Sequence, residues 1–238
     1  MGILTQLHRI NDLQYQNVWD FQTMLHNDIK NTKRSNVFRS KVNKSQIKYL
    51  NHIVFCEHNP VFTLGKSANE DNLLSSASEL KDSSIELFNI NRGGDITFHG
   101  PGQLTGYLIF DLELFYRDVH KYVRNLEECI IRLLDMYDIK GERLSGFTGV
   151  WIKEGKSFRK ICAIGVHLSR WVSMHGFGFN VGTDLNYFNQ IIPCGIVDAN
   201  KSVTSLSNEL ERSIDVSEIQ KPLLEIIKEV FNLKYIEL

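Results

Sequence analysis

Apolar residues recur along this chain in two rhythms, and the change from one to the other marks out its elements. Val119, Tyr122, Val123, Leu126, Cys129, Ile130, Leu133, Leu134 and Tyr137 keep to one face of a 3.6-residue repeat, and Asp118, immediately before the first of them, can cap it with its side chain. A helix is predicted there, with Cys129 in the core. A second runs over Asp215 to Asn232, where Asp215 and Glu218 have capping-box spacing and Ile219, Leu223, Ile226, Ile227 and Val230 repeat. A mixed stretch from about Asp12 to Lys30 predicts a third. Strand-like runs cover Lys48 to Cys56, Ile85 to Ile90, Ile96 to Phe98 and Leu108 to Leu112. Gly149 to Lys153 and Lys160 to Leu168, on either side of Glu154-Gly155-Lys156, predict a hairpin, and Trp171 to Val181 a strand interrupted by Gly176 and Gly178. Ser67 to Ser84 is polar and serine-rich and reads as a loop. Strands dominate the middle, with helices before, between and after them, which is an α/β pattern of the α+β type.

Length fits one domain over 1–238: the chain has 238 residues, 42% hydrophobic and 11% aromatic, enough for one sizeable core. A formal charge of −1 gives no global field for gripping nucleic acid or an anionic membrane. The charge is uneven, however. Lys30, Lys33, Arg34, Arg39, Lys41, Lys44 and Lys48 fall in a stretch with no acidic residue, read first as a solvated loop and second as a dock for an acidic partner. No apolar run approaches the roughly 18 residues needed to span a bilayer, and Met1 to Ile10 lacks the apolar region of a secretory signal. A cytoplasmic protein is expected. Cys56, Cys129, Cys162 and Cys194 are widely spaced without a C-x-x-C pair, which argues against a disulfide framework or a structural zinc site.

Arg92 to Tyr107, RGGDITFHGPGQLTGY, is the segment hardest to explain as packing. Paired Gly93-Gly94 and then Gly100-Pro101-Gly102 demand two places of close backbone approach or positive φ, so backbone N–H groups, the Arg92 cation and the His99 ring converge on a small volume. Cys194 is the best nucleophile candidate, because Ile-Ile-Pro-Cys-Gly-Ile puts a turn inside an apolar run and holds the thiol on a constrained, reachable loop. Cys56 and Cys162 read as core. A thiolate needs a partner, and Lys160, His99, His167 and His175 are the candidates. Strand alternation in Lys160-Ile-Cys-Ala-Ile-Gly would put Lys160 on the face of Cys162 and Ile164, while a Cys–His dyad stays open on spacing alone.

These segments, with KICAIG at Lys160 to Gly165, HGFGFNV at His175 to Val181, IPCG at Ile192 to Gly195, VTSL at Val203 to Leu206 and Pro60-Val-Phe-Thr-Leu-Gly65 upstream, resemble the lipoyl(octanoyl) transferases in order and spacing. The resemblance covers roughly Val54 to Leu210. It implies the α+β architecture of biotin and lipoate protein ligases, a mixed and mostly antiparallel sheet flanked by helices. It also implies transfer of an octanoyl group from octanoyl-acyl carrier protein to a specific lysine of lipoyl domains, in 2-oxoacid dehydrogenase subunits or the glycine-cleavage carrier, by a monomer with no cofactor and no metal. Carried over by position, Cys194 would form the acyl thioester and Lys160 would favour its ionised form and shuttle protons. Arg92, Gly93, Gly94, Asp95, Ile96, Thr97, Phe98 and His99, with Ala163, Ile164, Gly165, Gly176, Phe177 and Gly178, would line the acyl site. The chain departs from the family at Cys162 and Gly178, where alanine is usual, which bears on tunnel width.

The chemistry agrees with the resemblance: a thioester is already activated, so a thiolate and an oxyanion site suffice without ATP, and the chain has no G-x-x-x-x-G-K-[ST] loop. A lipoate or biotin ligase would share the fold but needs no thiol nucleophile. A metal module built from His99, His167, His175 and Cys194 lacks ligand-pair spacing.

Overall fold

In chain order the elements are β1 (Ile3–Ile10), α1 (Tyr15–Lys41), β2 (Asn51–Cys56), β3 (Val61–Leu64), α2 (Ala77–Asp82), β4 (Glu86–Asn89), β5 (Ile96–His99), β6 (Gln103–Ile109), α3 (Val119–Asp135), β7 (Gly141–Leu144), β8 (Phe147–Glu154), β9 (Ser157–Ser169), β10 (Val172–Asn180), β11 (Lys201–Val203), α4 (Leu206–Leu210), α5 (Val216–Phe231) and β12 (Leu233–Ile236). This computed structural model describes residues 2–42, 45–196 and 198–236. Lys44 of the basic stretch lies outside them. Among the described residues no helix is long and apolar enough to cross a membrane.

One large sheet runs β12-β1-β2-β6-β10-β9-β8-β7, with β11 added against β9; β4-β3-β5 form a small second sheet. The central pairs β2–β6, β6–β10, β10–β9 and β9–β8 are antiparallel, while β12–β1, β1–β2 and β11–β9 are parallel. The period-two pattern explains how one sheet serves two cores. On β2 and β6, Ile53, Phe55, Leu104 and Leu108 face α3 and α5, whereas Val54, Cys56, Tyr107 and Ile109 face Val18, Leu25 and Ile29 of α1. Burying apolar residues on both faces removes the polar-out alternation and makes β10 buried throughout.

Asp118 caps α3 and Asp215 caps α5 through a full capping box with Glu218, as their spacing predicts. Other boundaries differ from the sequence reading. The Lys30 to Lys48 stretch is largely helical, because α1 continues to Lys41 on polar ties that leave no apolar stripe. Lys33 Nζ reaches Asp111 at 2.5 Å and the Arg170 carbonyl at 3.0 Å, and the Asn36 amide brackets the Ile47 backbone at 2.7 and 2.8 Å. The polar Ser67 to Ser84 segment contains α2, started by a Ser76–Glu79 capping box. β10 is continuous through its glycines: a Cβ at Gly176 would stand 2.1 Å from the Gly106 carbonyl, so close approach, not a break, excludes a side chain.

The β8–β9 ladder ends early. Val150 faces Cys162, but Gly149 takes φ 119°, out of strand geometry, and its N–H donates to Glu127 Oε1 on α3 at 3.1 Å instead of to β9. Glu127 is fully buried and also accepts from Arg124 at 2.6 Å and Arg143 at 3.1 Å. This carboxylate thus compensates the amide freed where the strands part. Glu127→Ala should lower stability by about 1–3 kcal/mol, since it orphans the buried Gly149 N–H, whereas half-exposed Arg124 keeps its water and Arg143 keeps Glu128; Glu127→Gln should cost less. Chemical denaturation checks this; an unmoved midpoint for the alanine variant would show that the contact carries no stability.

Candidate active site

Arg92 fixes the glycine loop from inside the protein. Its guanidinium is buried and donates to the Thr63 carbonyl at 2.5 Å, to the Thr63 hydroxyl at 3.0 and 3.2 Å, and to the Gly93 carbonyl at 3.1 Å. The loop backbone is bonded on both sides, with Lys66 N–H donating to the Arg92 carbonyl at 2.9 Å and Gly93 N–H to the Val166 carbonyl at 2.9 Å. Asp95 then ties this loop to the segment before Cys194: it accepts from Asn72 Nδ2 at 2.5 Å, and the Asn72 carbonyl accepts the Ile192 N–H at 2.7 Å.

Pro193, Cys194 and Gly195 form one short 3₁₀ turn in which Cys194 has φ 57° and ψ 19°. A left-handed conformation costs a side-chain-bearing residue about 1–2 kcal/mol, so the turn holds the thiol at an angle the chain would not choose. Gly195 follows at φ 66°, where a Cβ would meet Asp95 Oδ2 at 2.5 Å; the glycine lets this turn sit against the Asp95 loop. Cys194 is half-buried, while Cys56, Cys129 and Cys162 are buried and pushed up well above the usual thiol range by burial.

Lys160 reaches this turn from β9. Its side chain is buried, Nζ lies 2.9 Å from Cys194 Sγ, and the ammonium sits 4.7 Å from the centroid of the Trp151 ring. Among the described residues no carboxylate lies within 4.0 Å of it, so its close partners are a sulfur and an aromatic face. The expectation that Lys160 shares a face with Cys162 is corrected by a bulge: Trp151 pairs with Lys160 and Val150 with Cys162, which leaves Ile161 as an extra residue. Ile161 and Cys162 therefore enter the main core, and Lys160 turns to the other side.

The histidines do not compete for the thiol. His99 is buried and pulled down to about 4 by burial, with Nδ1 held by Gln103 Oε1 at 2.7 Å; His175 is pulled down to about 3 and bonds Asn91 at 2.7 Å. His167 is lowered by partial burial, and none of the three comes within hydrogen-bond distance of Sγ. His99 instead belongs to a polar chain running from Gln103 to Asn180 Oδ1 at 2.8 Å, from Asn180 to the Thr204 carbonyl at 2.9 Å, and from the Thr204 N–H to the Lys160 carbonyl at 3.0 Å.

Cys194 and Lys160 open on a cavity of about 490 Å³. Its walls take in Arg92, Gly93, Gly94, Asp95, Thr97 and His99; Ala163, Ile164 and Gly165; and Gly176, Phe177 and Gly178. Ile96 and Phe98, expected along the acyl site, do not line it. Alternation along β5 turns them into the small core with Phe62, Leu64 and Phe188. Cys162 does not line it either, so of the two departures from the family only Gly178 touches the cavity, where a Cβ would press on Gln103 at 2.7 Å and His99 at 3.2 Å. Sequence reading missed Tyr15, Phe147, Thr148 and Ile196 as wall residues. Only Ile196 had a signal, its place in the Cys194 turn.

The chain matches the lipoyl protein ligase A/B catalytic domain over residues 14–228. It is 48% identical over 225 residues to an octanoyltransferase of Christiangramia forsetii, covering 93% of this chain and 94% of that protein. To the octanoyltransferase of Flavobacterium psychrophilum it is 45% identical over 234 residues, 98% of each chain. Among solved structures, lipoate-protein ligase A bound with ATP aligns with TM-score 0.67 at 14% identity, over 100% of this chain and 88% of that one. A bi-partite lipoate protein ligase from Thermoplasma acidophilum gives 0.64 at 16%, over 100% and 86%. At these identities the structures show a shared fold, the α+β architecture expected from the motifs, and with the match over nearly all of its length the chain belongs to the lipoyl protein ligase A/B catalytic domain family.

Proposed function

We propose that this protein moves an octanoyl group from octanoyl-acyl carrier protein to a specific lysine of a lipoyl domain, through a thioester on Cys194. The observation that carries the reading is the 2.9 Å contact between Lys160 Nζ and Cys194 Sγ at the wall of a large cavity. The octanoyltransferase relatives support the acyl group and its destination. Acceptors of this class are the lipoyl domains of 2-oxoacid dehydrogenase subunits and the glycine-cleavage carrier, and the enzyme acts as a monomer.

In the first half-reaction the Cys194 thiolate attacks the thioester carbonyl, a new S–C bond forms, and the carrier arm leaves as a thiol that takes its proton from Lys160. In the second, the acceptor amine attacks the Cys194 thioester, its proton passes to Lys160 or to the departing sulfur, and Cys194 is regenerated. A hydrogen bond to a charged partner contributes about 1.5–3 kcal/mol, so the ammonium stabilises the thiolate and offsets the oxyanion of the first tetrahedral intermediate, and of the second once Lys160 has taken the acceptor's proton. The acyl chain is held by apolar wall, at about 0.8 kcal/mol per buried methylene.

Arg34, Lys41 and Lys48 are exposed on and just beyond the C-terminal half of α1 and offer charge complementarity to an acidic carrier protein, whereas Lys33 is spoken for by Asp111 and Glu113.

Cys194→Ser should leave no octanoyl adduct when the protein is weighed after incubation with octanoyl-acyl carrier protein without ATP; an adduct as abundant as in the unsubstituted enzyme sinks the nucleophile assignment. Lys160→Ala should move the pH profile of Cys194 alkylation upward, and an unmoved profile discredits Lys160 as the group favouring the thiolate. Reversing the charges of Lys41, Lys44 and Lys48 should raise KM for octanoyl-acyl carrier protein several-fold more than for a small octanoyl thioester. Equal effects on both donors remove the docking role of that surface.

A further inference from the structure

The cavity lies where β8 and β9 part. Beyond the Val150–Cys162 pair, β8 leaves at Gly149 to follow β7, while β9 continues to Ser169 paired only with β10. Phe147 and Thr148 form one bank of the gap and Ala163, Ile164 and Gly165 the other. On this open side the Val166 carbonyl accepts the Gly93 N–H, and backbone groups in a strand alternate between its two edges, so the amide and carbonyl of Ile164 point into the same gap. Among the described residues, the Gly93 bond is the one backbone hydrogen bond made to this stretch from that side. Ala163 and Cys194 line one recess together, which puts the open edge beside the sulfur. A hydrocarbon chain offers neither donor nor acceptor to such an edge. An extended chain carrying amides offers both.

We propose that the β9 edge at Ile164 binds the amide-bearing pantetheine arm of the thioester donor as an added strand, presenting the thioester carbonyl to Cys194. The acyl chain then takes the floor of the cavity along β10, against Phe177 and Gly178. This inference rests on Cys194 as the acylated residue. The Ile164 carbonyl accepts the N–H of the arm's amide nearer the sulfur and the Ile164 N–H donates to the carbonyl of the other; acylation forms the Cys194 S–C bond and breaks the bond between the acyl carbon and the arm's sulfur, which takes a proton from Lys160 and leaves as a thiol.

The test is the single-turnover rate of Cys194 acylation, read by intact mass with three donors: octanoyl-pantetheine with two amides, S-octanoyl-N-acetylcysteamine with one, and S-octanoyl-2-acetoxyethanethiol, in which an ester oxygen replaces the amide N–H. Each rate is divided by that donor's uncatalysed thiolysis rate. The normalised rate should fall roughly three- to tenfold for each amide lost, and Ile164→Pro, which lacks the N–H but keeps the carbonyl, should bring the ratio of the two-amide to the one-amide donor toward one. Octanoyl-CoA and octanoyl-acyl carrier protein, run alongside, tell whether the arm is preferred free or carrier-borne. Equal normalised rates across the series overturn the proposal, whether or not Ile164→Pro folds. So does a preference kept at full size in a folded Ile164→Pro, or one that appears only when the acyl group passes to a lipoyl domain, which would assign the edge to the acceptor. No adduct with any donor overturns the Cys194 reading itself.

Discussion

The site depends on one inserted residue. Without the bulge at Ile161, simple alternation through Lys160, Ile161 and Cys162 would send the Lys160 side chain toward the core side shared by Cys162, under α3 and α5. With it, the ammonium crosses to the cavity and meets Cys194 at 2.9 Å. A buried cation without a carboxylate is costly, and here the Trp151 face and a polarisable sulfur are its close partners.

The turn that presents the sulfur is held just as firmly, but from outside its own segment. Asp95 of the glycine loop bonds Asn72, Asn72 bonds Ile192, and Arg92 secures the loop to β3. The conspicuous glycine-rich segment is thus largely scaffolding for a thiol nearly a hundred residues further on. Its glycines admit neighbouring backbone, and its arginine faces Thr63 and Gly93 with every hydrogen bond the structure gives it.

Much of this was legible in the chain. The α3 and α5 boundaries followed from Asp118, Asp215 and Glu218 because caps and apolar stripes are local signals, and the hairpin around Gly155 followed from turn chemistry. Cys194 and Lys160 stood out through their turn and strand contexts together with the family motifs. What stayed hidden was set by distant partners. The extension of α1 depends on Asp111, Arg170 and Ile47. The bulge at Ile161 depends on the path of β8, and the turn of Ile96 and Phe98 away from the cavity into the small core follows the pairing of β5 with β3. Tyr15 reaches the cavity from α1 with nothing in its neighbourhood to announce it.

The contrast among the four sulfurs has a practical side. Three are sealed in the interior and held in their protonated form by burial, and the fourth sits half-open against a cation. One equivalent of an electrophile would be consumed at a single position in the folded protein, so the fraction of folded molecules in a preparation can be counted by stoichiometric labelling. The same asymmetry makes that position the first exposed to oxidants from solvent.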